Sequence, residues 1–165
     1  MGFGIPAAIG VQFAHPEADV LAITGDGSIM MNIQELATIK RYNLPVKILL
    51  INNQQLGLVR QQQELFYDRN YSQIGLADNP DFALLAAAFG FETRNASSLE
   101  DVMNGCEWLL DQDGPAFLQY DLTDEVNVWP VTVPGASNDQ RLEGPEKAAA
   151  SAMRHSAKRD CRVAS

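Results

Sequence analysis

The chain has 165 residues, 46% of them hydrophobic, and a formal net charge of −9 at pH 7. That length fits one domain with a real core. The acidic balance argues against nucleic acid, which is bound through clustered Lys and Arg. Cys106 and Cys161 form no CxxC pair. No apolar run approaches the ~18 residues of a membrane span, and no secretory signal opens the chain. The plain reading is a soluble cytoplasmic protein with no membrane partner.

In chain order, small apolar residues over Pro6–Phe13 predict a tightly packing helix. Val20–Thr24 and Val46–Ile51 are short, aliphatic and β-branched, and read as buried parallel strands. Asn32–Tyr42 between them reads as a helix with Ile33, Leu36 and Ala37 on one face. Leu56–Phe66 predicts another helix. Asn79-Pro80 reads as an N-cap followed by the first helical residue, with the helix running to Phe89 and stopping at Gly90. Phe91–Asn95 reads as a short strand. Ser97 and Glu100 form a capping-box pattern. The apolar stripe Leu99, Val102, Met103, Cys106, Leu109 and Leu110 predicts a helix facing the sheet. Asp113-Gly114-Pro115 turns the chain into a strand over Ala116–Leu122. This alternation predicts an α/β three-layer sandwich with a mostly parallel sheet, covered on both faces.

Residues 144–165 carry 5 basic and 2 acidic side chains, net +3, against net −12 for residues 1–143. The shift predicts a cofactor-binding domain over 1–143 and a basic, disordered tail beyond it. His15 and His155 have no triad context and read as surface residues. Cys106, Trp108 and Trp129 read as packing residues, and Glu35 as structural or exposed.

The most informative feature is Gly25-Asp26-Gly27, followed after 24 intervening residues by Asn52-Asn53. Two parallel strands joined by one helix bring their C-terminal ends side by side, where open α/β sheets bind ligands. An Asp and an Asn there offer hard oxygen ligands suited to magnesium. The glycines allow backbone N–H groups to approach a phosphate closely.

This pattern resembles the magnesium–diphosphate motif of thiamine-diphosphate enzymes. The blocks Met1–Gly10, Gly25–Leu36, Leu56–Gln61, Asn127–Pro130 and Pro134–Ser137 resemble the C-terminal cofactor domain of the acetolactate synthase large subunit, over Met1 to about Glu143. The resemblance implies Asp26, Asn53 and the backbone carbonyl of Gln55 as magnesium ligands. It implies Met1, Gly25, Gly27, Ser28, Leu56, Gly57 and Leu58 as cofactor-binding residues, Met1 being the bulky residue that bends the cofactor. Gln62 stands where many such synthases carry Trp in the pocket for the second 2-oxoacid. Its loss of aromatic surface should weaken selection for 2-oxobutyrate by roughly 1–3 kcal/mol.

The implied parent activity is a carboligase. It joins two pyruvates into 2-acetolactate, or pyruvate and 2-oxobutyrate into 2-aceto-2-hydroxybutyrate, at the entry to branched-chain amino-acid synthesis. The resemblance implies thiamine diphosphate and Mg2+, FAD bound mainly outside this chain, a dimeric or tetrameric homo-oligomer and a small regulatory subunit. It places no catalytic residue here: the glutamate that activates the cofactor belongs to a separate domain. The chain therefore reads as a piece of a larger enzyme, inactive alone, with an exposed apolar face. Two rival readings stand beside this one. One is another thiamine-diphosphate-dependent decarboxylase, carboligase or oxidase; the other is a solitary cofactor-binding module.

Overall fold

The computed structural model describes residues 1–122 and 126–144. In chain order the elements are α1 (Gly4–Ala14), β1 (Leu21–Gly25), α2 (Asp26–Ile29), α3 (Leu36–Arg41), β2 (Lys47–Asn52), α4 (Gly57–Phe66), α5 (Phe82–Ala88), β3 (Glu92–Ala96), α6 (Leu99–Leu110), β4 (Ala116–Asp121), β5 (Val131–Thr132) and β6 (Arg141–Leu142). They fall in two compact units, residues 1–55 with 75–122 and residues 56–74 with 126–144. The expected basic tail and His155 lie outside the described residues.

The first unit is built on a four-stranded sheet in the order β1-β2-β4-β3, with every pairing parallel. β2 is internal and buried along nearly its whole length, so its middle, Ile48–Ile51, is a continuous apolar run rather than an alternation, between the buried polar ends Lys47 and Asn52. On one face, Ile48, Leu50 and Phe117 pack with Ile5 and Ile9 of α1, Leu36 and Ile39 of α3, and Phe82 and Ala86 of α5. On the other, Leu49, Ala116 and Leu118 pack under Leu109, with Val102 and Cys106 of α6 partly buried beside them. The three layers match the expectation. Cover is incomplete at β1, where Leu21 and Ile23 stay 42% and 65% exposed. Helix α6 packs on β2, β3 and β4, and β1 is an edge strand beyond its reach.

Several local expectations need correction. The helix expected over Asn32–Tyr42 is split, with a 3-10 turn at Ile33–Glu35 leading into α3. Its buried residues are Leu36 and Ile39, while Ala37 is exposed. The i, i+3 step selects that pair, and Ala37 falls one position outside it. The N-cap of α5 is Asp81, whose carboxylate accepts from Leu84 N at 2.9 Å, not Asn79. The stop at Gly90 stands. Its φ of +85° closes a Schellman turn, with Phe91 N donating to Ala86 O and Gly90 N to Ala87 O. The cap of α6 is Ser98, accepting from Asp101 N at 3.1 Å, one residue beyond the expected Ser97 box. The α6 stripe also divides. Leu99, Met103 and Leu110 are exposed, and the line facing the sheet runs Val102, Gly105, Cys106, Leu109. Gly105 sets that line, because a Cβ there would lie 2.9 Å from both methyls of Leu118.

In the second unit, α4 is tied to the segment that follows Val126. Gln61 Nε2 donates to Val128 O at 2.7 Å, and Val128 N donates to Gln61 Oε1 at 2.9 Å. Arg60 bonds both Glu64 and Asn127 at 3.2 Å, and Asn127 Nδ2 donates to Glu64 at 3.0 Å. β5 and β6 pair antiparallel.

Candidate functional site

Asp26 begins α2 directly after β1 and is 2% exposed. Burial pushes its carboxyl above the ordinary carboxylate range; its own backbone N–H and those of Gly27, Gln54 and Gln55 draw it back. The groups facing it are amides rather than cations. The loop after β2 therefore meets the residue after β1, as the parallel pairing of Gly25 with Ile51 dictates. Gln55 N also donates to Asn53 Oδ1 at 3.2 Å, so one amide reaches both expected metal-binding side chains. Gln54 holds this turn in the left-handed region, at φ +54°. For a non-glycine residue that conformation is uncommon and often marks a functional loop.

The loop is anchored from a second direction. Gln55 pairs with Gly75 in an antiparallel bridge, and Leu76 N donates to Gln54 O at 2.8 Å. Asn79 Nδ2 then donates to Asp26 Oδ2 at 3.3 Å. Sequence reasoning missed this residue as part of the site. Its sequence signal, Asn before Pro, predicts a helix cap, which Asp81 supplies instead.

The other expected residues divide between the units. Gly25 is extended, at φ −98°, and a Cβ on it would meet only Ile51 O, at 3.9 Å. Neither Gly25 nor Gly27 has a positive φ, so backbone conformation does not by itself demand glycine there. Ser28 Oγ accepts from Gly2 N at 2.9 Å, and Asn32 Nδ2 donates to Gly2 O. Gly25 is the N-cap residue of α2, with no side-chain cap. Met1 is 73% exposed, next to the glycine that touches Ser28. Leu56, Gly57, Leu58 and Gln62 belong to the second unit, at the start of α4 and within it. Leu58 is 64% exposed, and Gln62 is exposed beside the buried Gln61.

A polar cluster absent from the sequence reading lies at the C-terminal ends of β2 and β4. Asp121 Oδ1 accepts from Asn52 Nδ2 and from Gln119 Nε2, both at 2.8 Å. Asn52 Oδ1 and Gln119 Oε1 are buried without a donor among the described residues. Parallel registers of Leu50 with Gln119 and of Asn52 with Asp121 put these side chains on one face.

No three His, Cys, Asp or Glu side chains of the described residues converge as a metal cage. A cation at Asp26 would need amide and backbone oxygens as its other protein ligands. The Asn53–Gln55 loop offers these, and the donor set is all hard oxygen, which fits magnesium better than a softer metal.

The family model described as "Thiamine pyrophosphate enzyme, C-terminal TPP binding domain" matches residues 1–120, and the chain belongs to that family. Among its relatives is the acetolactate synthase isozyme 2 large subunit of Escherichia coli (strain K12), 50% identical over 143 residues, or 87% of this chain and 26% of that protein. The acetolactate synthase large subunit of Pyropia yezoensis is 43% identical over 143 residues, 86% of this chain and 24% of the relative. The isozyme 1 large subunit of E. coli is 43% identical over 142 residues, 86% and 25%. The chain thus spans about a quarter of the length of these relatives.

Proposed function

We propose that this chain is the diphosphate-anchoring part of an acetolactate synthase large subunit, and that it holds thiamine diphosphate through a magnesium ion. The observation that carries the proposal is the buried Asp26 carboxylate, faced by the Gln54 and Gln55 amides at the C-terminal edge of a parallel sheet. Asp26, Asn53 Oδ1 and the Gln55 carbonyl would hold the ion. The absence of a Cβ at Gly25, where one would meet only Ile51 O at 3.9 Å, supports close approach of the diphosphate to the backbone. Ser28 can still donate its hydroxyl proton while accepting from Gly2 N.

When bound, the cofactor supplies the electron sink that lets pyruvate lose carbon dioxide and pass its two-carbon unit to a second 2-oxoacid. This chain's part is to fix the diphosphate end and so set where the reactive ring lies. Leu56, Gly57 and Leu58 are proposed to line the cofactor, with Met1 against its bent form. Gln62 is proposed to face the second 2-oxoacid, either pyruvate or 2-oxobutyrate. The products would be 2-acetolactate and 2-aceto-2-hydroxybutyrate, feeding branched-chain amino-acid synthesis.

The relatives' designation as large subunits supports a small partner subunit. A homo-oligomeric assembly, FAD held mainly by other parts of the enzyme and a cytoplasmic location complete the proposal. No helix of the described residues is long and apolar enough to cross a membrane. The test is acetolactate formation from pyruvate by the complete large subunit, with Asp26 intact and as Asp26→Ala. Loss of product together with loss of magnesium-dependent cofactor binding supports the reading; full activity in the variant contradicts it.

A further inference from the structure

Asn79 lies 53 positions from Asp26, yet its side-chain amide donates to Asp26 Oδ2. The turn that carries it is fastened to the metal loop as well. Asn79 N donates to Leu76 O at 3.1 Å, Leu76 N donates to Gln54 O, and Gly75 pairs with Gln55. Residues 75–79 therefore brace the Asp26 side chain and the backbone of the 54–55 loop together. The helix that follows does not need Asn79, because Asp81 caps it.

We propose that Asn79 is a positioning residue for the metal–diphosphate site, an inference that rests on the function proposed above. A carboxylate turns in a broad, two-fold torsional well. The backbone N–H groups of Asp26, Gly27, Gln54 and Gln55 already reach this carboxylate; the side-chain donor on Oδ2 adds a constraint from the 75–79 turn that helps select one orientation of Asp26 and directs its remaining lone pairs toward the cation. An amide suits this task better than Lys or Arg. It fixes the oxygen without neutralising the charge that the metal needs. The brace also couples the two halves of the ligand set, since the chain that orients Asp26 also sets the height of the Gln54–Gln55 backbone.

The experiment uses the full chain with thiamine diphosphate and magnesium chloride. Calorimetry gives the magnesium concentration needed for half-maximal cofactor binding in the parent, in Asn79→Leu, which keeps the γ-branched shape without the donors, and in Asn79→Ala. Thermal melting without metal is run on the same samples. The expected result is a magnesium requirement raised about tenfold in both variants, the scale of one hydrogen bond to a charged group, with metal-free melting within a few degrees of the parent. A merely structural role would lower the melting point and leave the magnesium requirement of the folded fraction unchanged. That outcome, or an unchanged requirement with unchanged melting, overturns the positioning role while the proposed function stands. If Asn79→Leu fails to fold, Asn79→Ala decides the question on the same readout. Absence of magnesium-dependent binding by the parent itself overturns the proposed function, and this inference with it.

Discussion

The Gln61 side chain and the Val128 backbone exchange two hydrogen bonds, at 2.7 and 2.9 Å, in the manner of one strand paired with another. Gln61 is 1% exposed, so water cannot replace either bond cheaply. Its neighbour Gln62 projects to the surface. The Asn127–Pro130 block and the start of α4 are therefore linked through a residue that neither expected site role includes.

Gln61→Ala is expected to free the segment around Val128, at a cost of about 1–3 kcal/mol for the buried groups left unpaired. Limited proteolysis after Tyr67 or near Trp129 should quicken, while the sheet of the first unit keeps its stability to urea. Gln61→Glu keeps the acceptor and loses the donor to Val128 O, so it should fall between the parent and Gln61→Ala.

Gly105→Ala is expected to destabilise the first unit. The substitution gains about 1 kcal/mol of helix propensity. It also places a methyl 2.9 Å from the Leu118 side chain, which is fully buried. Overpacking of that kind costs typically 1–3 kcal/mol, so the net change in a urea titration should be a modest loss. A double variant with Leu118→Ala should recover part of the effect of Gly105→Ala relative to Leu118→Ala alone.

Lys47 predicts a pH dependence. Its ammonium is buried, and it donates to Gly114 O at 2.6 Å and to Gln112 O beyond the end of α6. Burial lowers its pKa from 10.5, with Asp19 and Asp113 acting in the opposite sense. The fold thus sheds this proton more readily than the unfolded chain does. The contribution of Lys47 to stability should rise as pH climbs from the lowered folded value toward 10.5, and should be flat below that window. Urea midpoints of the parent and Lys47→Met, compared at neutral pH and at about pH 10, should diverge in favour of the parent at the higher pH.

Much of this architecture is legible in the sequence because strongly patterned runs have few alternatives. Val46–Ile51 is short and aliphatic with a single charge, the pattern of a buried strand, and Gly90 ends its helix as a Schellman glycine does. The misreadings are local choices that distant contacts decide. Asn79-Pro80-Asp81 offers two candidate caps, and local chemistry cannot show that Asp26 claims the first. Ser97 and Ser98 offer the same ambiguity one residue apart. The exposure of Leu21 and Ile23 is equally hidden, since alternation along a strand does not reveal that the strand lies at an edge. The meeting of Asp26 with the Asn53–Gln55 loop is legible, because the parallel pairing of β1 with β2 forces it. Asp121 joining Asn52 and Gln119 is not, because it depends on β4 arriving next to β2 after β3 has been placed outside it.

The most direct test of the central claim is calorimetric titration of thiamine diphosphate into the chain, with magnesium and with excess EDTA, for the parent and Asp26→Ala. The account predicts binding by the parent only with magnesium. It predicts weakening by more than about a hundredfold in the variant, beyond the 10–100-fold typical of losing an outer-shell partner, while the variant keeps its circular dichroism spectrum. Binding of equal strength with and without magnesium, or in parent and variant alike, would contradict it.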